Sequence, residues 1–126
     1  MARRRIPDEV GRTALAEVAA HPAEGGPGPG REVTATAVRY LLQRLAEDSP
    51  GNTVEVRVPP FGAVQCVPGP RHTRGTPPNV VEMDATTWLA LAAGSLTWAD
   101  GIAGGSIHAS GQRADLTGHL PIVSPE

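Results

Sequence analysis

The stretch GSLTWADGIAGGSIHASG, residues 94–111, constrains this chain more than any other. Five of its eighteen residues are glycine, yet Leu96, Trp98, Ile102 and Ile107 are spread through it, and a linker has no use for them. Gly94, the pair Gly104-Gly105 and Gly111 fall where short elements would end. Glycine is favoured at such ends because it accepts positive φ without strain. Gly101 differs, because it lies inside a short helical pattern. There it costs up to ~1 kcal/mol against alanine. Beside Ala99 and Ala103 it leaves the helix thin around Ile102. Two readings follow: close packing on a neighbour, or a helix kept thin so that space remains beneath it.

The elements around this stretch are short as well. Residues 7–20 read as a helix, with Pro7 at the first position and Asp8 and Glu9 at the positive end of the dipole. The Gly/Pro-rich run at 21–31 predicts a mobile linker. Residues 32–47 form the clearest helix, with Thr34, Val38, Leu41, Leu42 and Leu45 on one stripe. TVEVRV at 53–58 alternates as a half-buried strand, and 62–67 and 79–83 read as two more. Asp84 caps a helix that Gly94 ends, and Thr97 caps a second, WADGIA, with Asp100 at the capping-box position. Residues 106–110 predict a fourth strand and 113–120 a last helix, stopped by Pro121. The order predicts an α+β fold with helices on one side of a mainly antiparallel sheet. It divides the chain into an N-terminal helix and linker, 1–31, and a domain over 32–126.

Composition removes several classes of function. The net charge is −2 and aromatics are 3 %, which disfavours a general nucleic-acid or anionic-membrane binder. No run approaches the ~20 apolar residues of a membrane span. The three arginines at the N-terminus precede no apolar run, so they do not make a signal peptide. The single cysteine, Cys66, cannot form an internal bridge, and a reducing cytoplasm is the expected compartment.

Polar clusters are few. Arg71, His72 and Arg74 in the loop GPRHTRG, with Arg57 on a nearby strand, could grip a carboxylate or phosphate head group, because guanidinium forks match those anions. A solvated hairpin loop is the plainer reading. His108 and Ser110 share a strand face and His119 lies further on, but nothing has the signature of a catalytic triad. Cys66 in a strand reads as a small buried side chain. The four histidines lack metal-ligand spacing, and the absence of lysine rules out a phosphate-binding GxxxxGK motif.

From Gly94 onward the sequence resembles the sterol carrier protein, or lipid-transfer, family, and within it the short stand-alone bacterial members. Gly94, Gly105 and Gly111 match its glycine spacing. Leu96, Ile102, Ile107 and Ala109 stand at its apolar positions, and ADLTGHL resembles its final helix. Upstream, NVVEMDATTWLALAAG resembles its preceding strand and helix, so the resemblance covers about residues 33–123. Ala103 departs from it, standing where relatives often carry an aromatic. The resemblance implies a five-stranded, largely antiparallel sheet with helices on one face, the fifth strand falling at 68–76. It also implies an apolar tunnel for a lipid, fatty acyl or sterol-like ligand, with no cofactor and no bond made or broken. Val56, Trp88, Leu91, Trp98, Ile102 and Ile107 are the candidate lining, although plain core packing is the simpler role for Trp88 and Trp98. Such a chain could instead act as a homodimer or as an accessory module docked on a separate enzyme. The least favoured alternative is a small enzyme working through His72 or His108.

Overall fold

The computed structural model describes residues 4–20, 30–69 and 79–122. The described residues fold in the order α1 (Asp8–Ala20), α2 (Arg31–Asp48), β1 (Val54–Val58), β2 (Gly62–Cys66), β3 (Asn79–Glu82), α3 (Ala85–Ala93), α4 (Trp98–Ala103) and β4 (His108–Ser110). A single 3-10 turn, Thr117–His119, follows.

The core forms where the two periodicities meet. Val54, Val56 and Val58 alternate onto one face of β1, and the register sets Cys66, Val64 and Gly62 of β2 beside them. Val81 of β3 joins the same face opposite Val56. The α2 stripe Val38, Leu41, Leu42 and Leu45 packs onto this face and is at most 2 % exposed. Burial of this kind contributes roughly 1.5–3 kcal/mol for each large side chain. Glu55 and Arg57 alternate to the other face and pair with each other at 3.1 Å.

The fold is α+β, but the sheet departs from the expected five antiparallel strands. Four strands are present among the described residues, in the order β2-β1-β3-β4, and β1 and β3 run parallel. Asn79 shows why. At the start of β3 its side-chain amide donates to the Thr53 carbonyl, 2.9 Å away, which aligns the starts of the two strands. Its Oδ1 accepts from the Arg113 amide at 3.0 Å, so the same residue holds the chain leaving β4. Gly111 lets that chain turn, with φ 107° and no room for a Cβ against Asn79. The place foreseen for a fifth strand, 68–76, lies mostly outside the described residues. The final helix expected at 113–120 is also absent. Only 117–119 form a turn, because the Asp115 carboxylate accepts from the Thr117 amide and hydroxyl and closes a local loop instead. Ala114 and Leu116 are buried by this irregular segment.

The sequence pattern sets residues 1–31 apart from the domain, whereas the structure lays α1 along α2. The ring of Tyr40 occupies the space where Gly11 would carry a Cβ. The Tyr40 hydroxyl donates to Asp8 at 2.8 Å, and Arg5 donates to Glu47 at 2.6 Å. Gln43 pairs with the backbone of Ile6 in both directions, each bond 2.8 Å. The linker at 21–29 lies outside the described residues. The Tyr40 hydrogen bond, and then Arg5, hold the Asp8 carboxyl below its ordinary range, and Arg5 does the same for Glu47. A carboxylate with a depressed folded pKa stabilises above its unfolded value and loses that contribution as pH falls. Amide-exchange protection of α1 is therefore expected to hold near neutrality and to drop only as pH falls below about 4, the ordinary carboxylate value, toward the depressed folded values. Gly11→Val is expected to lose the same protection at neutral pH and to destabilise the chain by about 1–3 kcal/mol in urea unfolding. Unchanged α1 protection in Gly11→Val would show that the helix does not depend on this contact.

Candidate functional site

Two well-capped helices frame the candidate site. Asp84 accepts from the Thr87 amide at 2.9 Å and starts α3, and Gly94 ends it in the left-handed conformation, φ 88°. Thr97 accepts from the Asp100 amide at 3.1 Å and starts α4. The chain then returns from the C-terminal side. The Ile122 amide donates to the Ala92 carbonyl at 2.9 Å, which brings Leu120 and Pro121 against the end of α3. Between these parts lies a cleft of about 300 Å³, lined mainly by Leu91, Leu96, Trp98, Ala99, Leu120 and Pro121. Leu96, Trp98 and Leu120 are half-buried and rest against the core. A second, more open cleft of about 500 Å³ lies beside β4, between Val80, Ile102 and Ile107, with Glu82, His108 and Ser110 as its polar groups.

The six residues foreseen as a lining therefore separate. Leu91 and Trp98 meet at the first cleft, and Ile102 and Ile107 at the second. Val56 and Trp88 are fully buried in the core and reach neither. The thin helix has a different cause from an empty space beneath it. Ile107 fills the place where Gly101 would carry a Cβ. The amides of Ser106 and Ile107 also return to the Gly101 carbonyl at 3.1 and 3.2 Å. Gly101 thus serves close packing of α4 on the segment entering β4. Ile102 points away from that contact and is 41 % exposed. Ala103 is exposed too. Sequence reasoning missed Ala99, Leu120 and Pro121. Leu96 was noticed as apolar but not as a wall, and its place in a loop between two caps was the available signal.

Arg71, His72 and Arg74 lie outside the described residues. Arg57 is exposed, on the sheet face that carries Glu55. His108 and Ser110 are exposed on β4. Ser49 Oγ and His119 Nδ1 lie 2.7 Å apart, and the contact ties the end of α2 to the C-terminal turn. Asp115 is occupied by Thr117. Among the described residues no group of three or more His, Cys, Asp or Glu could hold a metal ion. No helix among them is long and apolar enough to cross a membrane.

A family model described as "Bacterial SCP ortholog" matches residues 30–122, which spans α2 through the return of the chain to α3. The chain belongs to the sterol carrier protein family. No curated protein sequence matches it. Both clefts fall within the part shared with the sterol carrier family, whereas α1 and the arm before it lie outside.

Cys66 sits fully buried against the α2 stripe, and desolvation pushes its thiol up to about 11. An inert thiol results, since only the thiolate is nucleophilic. Its pKa is raised by folding, so the stabilisation is whole below about 9, the ordinary value, and is lost as pH rises toward 11. A thiol reagent at pH 8 is expected to label Cys66 only as fast as the protein opens, with the rate following urea concentration. Fast labelling of the native protein would contradict the closed core.

Proposed function

We propose that this protein binds and carries a small apolar or amphipathic molecule, held in the cleft between α3, α4 and the returning C-terminal chain, and that it transforms nothing. Membership of the sterol carrier family supports lipid binding in general. The observation that carries the site is the half-buried trio Leu96, Trp98 and Leu120 around a cleft of about 300 Å³, with core residue Leu91 at its floor. Half-buried apolar side chains at a concave opening retain area that a ligand can remove from water, at ~0.8 kcal/mol for each methylene buried, before ordering costs. The volume lies at the lower end of the range for small-molecule sites, ~300–1,000 Å³. A single acyl chain or a small ring system suits it better than a whole sterol.

Trp98 makes the reading measurable. The chain has two tryptophans, and Trp88 is fully buried. Titration with decanoate is expected to give a saturable change in emission that disappears in Trp98→Phe. Ala99 is exposed at the cleft wall, so Ala99→Phe is expected to weaken binding at least tenfold while leaving the melting temperature unchanged. A full emission change surviving in Trp98→Phe, or unaltered affinity in Ala99→Phe, would place the ligand elsewhere.

A further inference from the structure

A third cleft, of about 390 Å³, lies between α2, the edge strand β2 and the N-terminal arm. Its α2 wall is the stripe Arg39, Leu42, Gln43 and Ala46, spaced as one helix face. Its opposite wall is Gly62–Val64 of β2. β2 is the outermost strand on its side of the sheet. The Met83 amide donates to the Arg57 carbonyl at 3.1 Å, so Glu55 and Arg57 turn their backbone polar groups toward β3, which fixes the phase of the β1–β2 ladder. By the alternation of an antiparallel pair, Val54–Cys66, Val56–Val64 and Val58–Gly62 exchange hydrogen bonds, and the amides and carbonyls of Ala63 and Gln65 point off the sheet. No side chain among the described residues bonds to them. The five residues of β2 include no charge and no proline, the usual protections of an exposed edge.

The cleft is also electrically biased. Arg5 is held by Glu47 and Asp8. Arg39 is anchored through its Nε, which donates to the Phe61 carbonyl at 2.7 Å, and no carboxylate pairs with it among the described residues. Arg4 makes no ion pair or hydrogen bond among the described residues, yet it lines the same cleft. Two uncompensated guanidiniums thus flank an apolar floor beside an open strand edge, on a chain whose net charge is −2. We propose that this cleft receives an extended acidic segment of a partner protein, which adds to β2 as a further strand. It sets alternate apolar side chains against Val64 and Ala46 and its carboxylates against Arg4 and Arg39. Main-chain bonds to Ala63 and Gln65 supply the pairing, and the side-chain pockets and charges supply selectivity. A second copy of this chain fits worse, because two-fold pairing of β2 edges would set each arginine pair against its like.

The test uses a labelled, end-blocked peptide of alternating glutamate and valine, with fluorescence anisotropy as readout. The peptide is expected to bind wild type at least tenfold more tightly than its lysine–valine counterpart, and the difference is expected to shrink with added salt. N-methylation of the peptide amides that face β2 should abolish binding. Arg4→Gln with Arg39→Gln should remove the charge preference. Ala63→Pro should remove binding while sparing the β1 ladder, because the amide it deletes points away from β1. The charge variant, which touches no core residue, keeps the test valid if Ala63→Pro fails to fold. Equal or absent binding of the two peptides, or indifference to N-methylation, would overturn the proposal. So would a chain dimer that forms through β2 and is not displaced by the peptide.

Discussion

Trp88 carries one polar atom, and the arrangement of the domain depends on where that atom goes. The indole is fully buried, and its N–H donates to the Val38 carbonyl of α2 at 3.2 Å. An unpaired buried donor would cost about 1–3 kcal/mol. The bond therefore fixes α3 on α2 at the place where the α2 stripe already covers the sheet. From that anchor α3 runs to Gly94, the Ala92 carbonyl receives the returning chain, and the ligand cleft takes shape between them. The cleft is thus an outcome of how α3 is docked. It lies beside a closed core, and the core residues Val56 and Trp88 take no part in it.

Local signals in the sequence were sufficient wherever a residue's task is local. The α2 stripe, the alternation of β1 and the caps Asp84 and Thr97 stand where their patterns place them. Patterns of this kind say nothing of direction or partner. The parallel pairing of β1 with β3 is set by the side chain of Asn79 reaching Thr53, a contact 26 residues away in sequence. The helical pattern of 113–120 yields to the Asp115 loop and to the burial of Leu116. A glycine inside a helix is legible as an oddity at Gly101, and Gly11 stands inside α1 in the same way. What each makes room for, Tyr40 in one case and Ile107 in the other, is tertiary information. The clefts were only half legible for the same reason. Leu91 and Trp98 could be named, while Leu120 and Pro121 join them through a backbone bond that no periodicity announces.

The two recognition sites proposed for this protein lie on different parts of its surface. The segment matched by the family carries the apolar cleft suited to a small ligand. The arm outside that segment, pinned by Arg5 and Gln43, builds one wall of the cleft at the β2 edge. The two lie on different elements, α3 and α4 against α2 and β2, so occupancy of one does not require the other to be vacated.

The central claim is that the ligand occupies the cleft beside the core and leaves the core closed. A nitrogen-15 NMR titration of the full chain with a medium-chain fatty acid tests it residue by residue. The largest shift changes are expected at Leu96, Trp98, Ala99, Thr117 and Leu120, with Val56 and the Trp88 indole undisturbed. Changes that centre on Val56 and Trp88 would instead mean that the ligand opens a tunnel through the core, and the account would be wrong.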